Sequence, residues 1–441
     1  MTPAPQPRMI WLALVAMIAA FTVVPFLLFA GQQSPDLMAT WLAGHFFGLG
    51  AFDQIYPADT TVYTMRPPPD WWPYLLEQGR GGPVFPYVYP PLWAALASHL
   101  TPYASIDGFQ FAGRLVNPAL LGATVVLALR IAGLGGIRLL FSTALGLLIM
   151  ILTLPGAVAL LQNQPQILVS FLILAALHAD LRGAVLVAGI TLALAAAIKI
   201  YPALIAILWL ATGKYRACAV FAVTGAMLGL VSVALAGWPL HADFLRELRI
   251  IKESVMTTRL TYGIDATVAN LWFADKMQFI AALDNLPDAP ERGWRVLEKT
   301  ALWSVLSMAA MVALLGAAAL WLRTRGDTNP LFWPAFLIGL ALISPLSWGY
   351  HFLPAMAFAP ALLFIWGPRT GCALLLAICL PISVFAIDLL ASGAVPYVSN
   401  QLAGTLAMTL LGLTLLVTPR PTAPSTENFD PDMEPVLTDP S

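Results

Sequence analysis

Apolar residues fill most of this chain in blocks near the length of a membrane crossing, and polar positions gather in the connections between blocks. A helix needs about 20 apolar residues to cross roughly 30 Å of hydrocarbon. Residues 9–30 meet that length behind Arg8. The run is longer than the apolar core of a signal peptide, which predicts an uncleaved anchor with a cytoplasmic N-terminus. Further blocks occupy 109–129, 139–161, 165–179, 183–198, 200–211, 217–237, 301–322, 330–346, 350–366, 371–395 and 402–418. Several are short, which predicts tilted or half-depth helices.

Short loops that carry Lys and Arg stay in the cytoplasm. The basic short connections are 130–138, 180–183, 213–216, 323–327 and 367–371. Placing all five inside requires about twelve crossings and puts both termini in the cytoplasm. The block 89–103 is then re-entrant or interfacial. A rival scheme makes 89–103 a span and fuses 183–211 through Pro202, but it exports Arg130, Arg138 and Arg182. The first scheme leaves two long polar stretches outside, 31–87 and 238–299. In the second, Leu245, Leu248 and Ile251 interleave with Arg246, Arg249 and Lys252, the spacing of a helix. The proline-rich acidic tail 419–441 has nothing to pack against and is expected to be a disordered cytoplasmic segment. Residues 1–418 form the membrane domain.

Composition agrees with this pattern. Hydrophobic residues make up 59% of the 441 and charged residues 10%, whereas a soluble domain carries about 25% charged residues. The predicted fold class is therefore an all-α polytopic membrane protein, in the cell's inner (plasma) membrane. A net charge of −1 argues against nucleic acid as a partner. Cys218, Cys372 and Cys379 form no CxxC or Cys/His pattern, so neither a disulfide framework nor a zinc site is inferred.

Function is sought among polar residues that membrane burial should exclude. Asp36 follows the first block in Ser34-Pro35-Asp36-Leu37. Gln162-Asn163-Gln164-Pro165-Gln166 joins two blocks, as does Ser344-Pro345-Leu346-Ser347-Trp348-Gly349-Tyr350-His351. Lys199 sits in Ile198-Lys199-Ile200-Tyr201-Pro202, and Arg114 and Asn117 lie near the outer end of 109–129. The topology brings all of these to the extracytoplasmic face. Each also has a structural reading. Asp36 can stabilise a first helical turn, Lys199 can snorkel to the interface, and His351 can belong to an aromatic belt. Gln164 and Gln166 can serve helix packing.

In order and spacing these motifs resemble glycosyltransferase family 87. The resemblance rests on Asp36 after the first helix, Tyr56-Pro57, Tyr89-Pro90-Pro91-Leu92 and Asn163-Gln164-Pro165-Gln166 against a family pattern Gly-Gln-x-Asn. It continues through Ala197-Ile198-Lys199-Ile200-Tyr201-Pro202, Asn270 and the motif ending in His351, where Gly349-Tyr350 replaces the acidic or histidine residue often found in the family. The resemblance implies a GT-C-type helical bundle and a polyprenyl-phosphate-linked sugar as donor, mannose or a related hexose or pentose. The partner would be a lipid or glycan acceptor, and transfer would be inverting at the extracytoplasmic face.

Such a reaction needs a base for the acceptor proton and cations for the departing phosphate. Asp36 is the expected base, and Lys199, His351 and Arg114 the expected phosphate ligands. Gln164, Gln166, Asn270 and Tyr89 are expected to bind substrate. No acidic pair has metal-ligand character, and neither a metal nor a cofactor is expected. A lipid-linked glycan transporter or flippase, or a non-catalytic membrane scaffold, stays open beside this reading. Transporters often show inverted repeats and midplane charges; this chain shows no repeat.

Overall fold

The computed structural model describes residues 7–56, 61–282, 293–325, 329–393 and 398–418. The chain is mostly helical. Among the described residues, five helices are long and apolar enough to cross a membrane: Pro7–Leu28, Ile106–Ile131, Tyr215–Glu253, Ala301–Arg325 and Asn400–Val417. Leu230 and Val312 are exposed on two of these helices. On a helix apolar all round, such exposure marks contact with lipid rather than water.

The other blocks do not form straight, full-length spans. Block 139–161 divides into helices Gly136–Leu152 and Leu154–Leu161, because Thr153 is extended and Pro155 opens a new first turn. Block 371–395 likewise divides into Gly367–Cys379 and Ala386–Ala391. The two breaks cross each other. Thr153 bridges Ser383, Leu154 N–H donates to the Ile382 carbonyl at 2.8 Å, and Val384 N–H to the Leu152 carbonyl at 2.9 Å. Non-helical backbone inside an apolar bundle persists only when its polar groups find such partners. Block 350–366 is a series of short 3₁₀ and α turns from Gly349 to Ile365, interrupted at Pro354 and Pro360 and packed at the centre of the bundle. Length and composition thus single out five of the twelve or so expected crossings, with shorter and broken helices between them. The tail 419–441 lies outside the described residues.

Block 89–103 holds only the eight-residue helix Pro91–Ser98, about 12 Å long, which cannot cross the hydrocarbon. It packs on helix Pro35–Gly48 so closely that a Cβ on Gly44 would stand 2.6 Å from the Cβ of Ala97.

The stretch 238–299 adds a small sheet to this mostly helical fold. Helix Tyr215–Glu253 kinks at Gly237, which has φ 73°, and runs on through the interleaved basic and apolar residues. A three-stranded antiparallel sheet follows. Strand Gly293–Glu298 lies between Ser254–Thr257 and Gln278–Ala281. The central strand alternates over its first four residues, with Trp294 and Val296 buried and Gly293 and Arg295 exposed. That period of two belongs to a half-buried strand.

Trp294 and Val296 build a small separate core with Met256, Tyr63 and Met65. Trp294 Nε1 donates to the Thr64 carbonyl at 2.6 Å, and Tyr63 N–H to Ser254 Oγ at 2.9 Å. The two long polar stretches therefore pack on one another. Beneath them Lys299 Nζ donates to Asp265 Oδ2 at 2.5 Å, and Trp303 Nε1 donates to Asp265 Oδ1 at 2.8 Å. This fastens helix Ile264–Trp272 to the start of helix Ala301–Arg325.

Candidate active site

A cavity of about 1060 Å³ opens where these stretches meet the bundle. Asp36, Tyr89, Gln164, Lys199, Asn270 and His351 all line it, although they are spread over most of the chain.

Asp36 stands in the first turn of helix Pro35–Gly48, with Pro35 preset for that turn. The turn is anchored by a chain of amides. Asn117 Nδ2 donates to Asn163 Oδ1 at 3.1 Å, Asn163 Nδ2 donates to Ser34 Oγ at 2.7 Å, and Ser34 Oγ donates to the Leu161 carbonyl at 3.1 Å. Asn163 has φ 48°, in the left-handed region. Glycine enters that region freely and asparagine tolerates it, which explains why asparagine can stand where the family pattern has glycine. Helices Leu154–Leu161 and Gln166–Leu181 meet at this turn with a bend of 119°, and the bend aims Gln164 into the cavity.

Gln164 Nε2 donates to Asp36 Oδ2 at 2.7 Å, and the Tyr89 hydroxyl donates to Gln164 Oε1 at 2.7 Å. The two contacts fix the orientation of the amide. Asp36 lies outside the five long apolar helices, in a pocket walled by protein. Loss of solvent pushes its carboxyl up to about 7, opposed by the charge of Lys199 and the Gln164 hydrogen bond.

Lys199 follows helix Val185–Ile198 in an extended conformation, and Pro202 precedes the next helix. Its ammonium is therefore released from helical geometry into the cavity. Lys199 Nζ lies 3.2 Å from His351 Nε2. When the amine is protonated it can only donate, so Nε2 then accepts and the ring proton sits on Nδ1. The same Nζ stands 5.1 Å above the Tyr350 ring and 5.7 Å above the Tyr89 ring. Cation–π attraction steadies it there. Among the described residues no carboxylate forms an ion pair with it.

Two expected site residues lie elsewhere. Arg114 donates to the Gln32 carbonyl and, at 3.5 Å, to Gln110 Oε1. Since Gln110 Oε1 also accepts from Ser34 N–H, Arg114 braces the turn before Asp36 and does not line the cavity. Gln166 is fully buried behind the wall. Its Nε2 donates to the Tyr201 hydroxyl at 2.7 Å, so it orients a lining tyrosine without reaching the cavity.

Other lining residues escaped the sequence reading. Tyr350 adjoined a chosen residue, but its ring position under Lys199 depends on the fold. Tyr63, Arg259 and Arg295 lie in long polar stretches where nothing in sequence separates them from solvated neighbours.

A polar cavity with a held carboxylate and a lysine, set in a bundle of lipid-exposed helices, belongs to a multi-pass membrane protein. The model of glycosyltransferase family 87 matches residues 87–345, more than half of the chain, and the protein belongs to that family. It is thus a membrane glycosyltransferase. No curated protein matches the chain. Asp36 and His351 fall outside the matched range, so their assignment rests on the geometry around them.

Proposed function

We propose that the protein moves a sugar from a polyprenyl phosphate to an acceptor hydroxyl, with inversion, at the extracytoplasmic face of the plasma membrane. The observation that carries this reading is the pairing within one cavity of the Gln164-held Asp36 with the Lys199–His351 couple. The acceptor oxygen attacks the anomeric carbon, the bond from that carbon to the phosphate oxygen breaks, and the polyprenyl phosphate departs with the electron pair. Asp36 takes the acceptor proton. A base is most effective when its pKa lies near the working pH, and the raised value of Asp36 suits that task.

Lys199 and the aromatic rings beneath it supply a cation aimed at the growing charge on the phosphate. His351 keeps the ammonium in place until phosphate arrives. Tyr89 and Gln164 position the base, and Asn270 offers an amide to sugar hydroxyls. The inverting course needs only one carboxylate, and among the described residues Asp36 is the one carboxylate of the cavity lining.

Purified protein incubated with labelled polyprenyl-phosphate sugars and candidate acceptors tests the reading. Wild type should transfer label. Asp36→Asn, which keeps shape but cannot take a proton, should lose about 10²- to 10⁴-fold in turnover while still retaining donor lipid by mass spectrometry. Near-normal turnover in well-folded Asp36→Asn would place the base elsewhere. Failure of the wild type with every polyprenyl-phosphate sugar would overturn the donor class.

A further inference from the structure

The cavity offers cations at more than one place. Among the described residues its lining includes Lys199, Arg259 and Arg295 with one carboxylate, Asp36. A polyprenyl-phosphate sugar is a phosphodiester with one negative charge. With that donor seated on Lys199, two arginines remain, Arg259 with the exposed Asp388 as its partner and Arg295 with no ion pair among the described residues.

The two arginines come from the sheet region, Arg295 on the central strand and Arg259 two residues beyond strand Ser254–Thr257. Arg295 sits at the middle of the central strand, directly paired with Thr257 on one side and Phe279 on the other. Directly paired residues project on one face of a sheet, and all three line the cavity. Arg295 is exposed and forms no ion pair among the described residues. Arg259 follows two residues after Thr257 and is also exposed. Its one ion-pair partner is Asp388, at 2.8 Å, whose side chain is 85% exposed. Exposed pairs of this kind contribute little, so a ligand can displace the partner at little cost. The sheet packs on the separate core of Trp294, Met256 and Tyr63, of which Trp294 and Tyr63 also line the cavity.

We propose that Arg259 and Arg295 form a second anion site, which takes an acidic group, carboxylate or phosphate, carried by the acceptor. The inference rests on reading Lys199–His351 as the donor-phosphate locus. An acid on the acceptor then meets the arginines while the reacting hydroxyl lies at Asp36, within the same cavity. Acceptors without an acid then enter less readily, so the sheet sets acceptor specificity.

Equilibrium binding to the purified full chain tests this without requiring turnover. The probes are a disaccharide ending in a uronic acid, its neutral methyl ester, and the same disaccharide bearing a phosphate monoester. Wild type should bind at least one acidic probe about tenfold or more tighter than the ester, the range of a charge-assisted hydrogen bond, and the preference should shrink with added salt. Arg259→Gln with Arg295→Gln should abolish it, Arg295→Lys alone should keep much of it, and Lys199→Met should leave it intact. Equal affinity for all three probes would overturn the proposal. So would a preference that survives the double glutamine variant, or one lost in Lys199→Met, which would assign the anion to the donor locus. Intact acid preference without any sugar transfer would instead count against the transferase reading alone.

Discussion

Gln164 donates to Asp36 across 128 residues of chain, and the Tyr89 hydroxyl on its other end leaves that amide a single orientation. The amide hydrogen bond favours the charged carboxylate, while burial opposes it. A general base works only when deprotonated, so kcat/KM should fall as pH drops through about 7. Gln164→Leu removes a group that favours the charged form and should move this limb to higher pH, by about one unit. Tyr89→Phe, which leaves the Gln164–Asp36 bond possible, should move it less. A pH–rate profile unchanged in Gln164→Leu would mean that Asp36 is not the titrating base.

Lys199 acts on ground and transition states alike if it faces the phosphate. Lys199→Met should therefore weaken donor retention and turnover together. A charge-assisted hydrogen bond is worth about 1.5–3 kcal/mol, or roughly 10- to 150-fold. Measuring both quantities on one preparation decides the matter, and normal donor affinity would remove Lys199 from the phosphate site.

The buried pair of Lys299 and Asp265 governs stability rather than chemistry. Their side chains are 1% and 9% exposed. Breaking such a pair on one side leaves an uncompensated charge and costs about 3–5 kcal/mol. Asp265→Asn should lower the unfolding temperature in detergent sharply, and adding Lys299→Met should restore part of the loss. A single variant as stable as wild type would show that solvent reaches the pair.

Sidedness follows from the same frame. In a protein with Cys218, Cys372 and Cys379 replaced, Gln78→Cys and Lys276→Cys should react with an impermeant thiol reagent in intact cells, and Ser425→Cys should not. Labelling of the tail position alone would invert the orientation proposed for the site.

The sequence by itself determined the medium. Long apolar blocks with few charges cannot be solvated by water, so a bundle in lipid follows from composition and block length alone. The polar exceptions were equally legible, because a membrane interior makes each one costly. Asp36, Gln164, Lys199 and His351 stood out for that reason, and the structure gathers them around one cavity. The small sheet left a weaker trace, the alternation of Trp294, Arg295 and Val296, easily lost in a long polar stretch. Only the tertiary structure decided the rest. Thr153 and Ser383 break two helices because each break satisfies the other's backbone, a partnership between segments far apart in sequence. Arg114 turned away to brace the Gln32 carbonyl, while Arg295, on the central strand of the sheet, came to line the cavity. Hydropathy records what a residue costs to bury, but the direction in which a side chain points is set by partners that only the folded chain brings within reach.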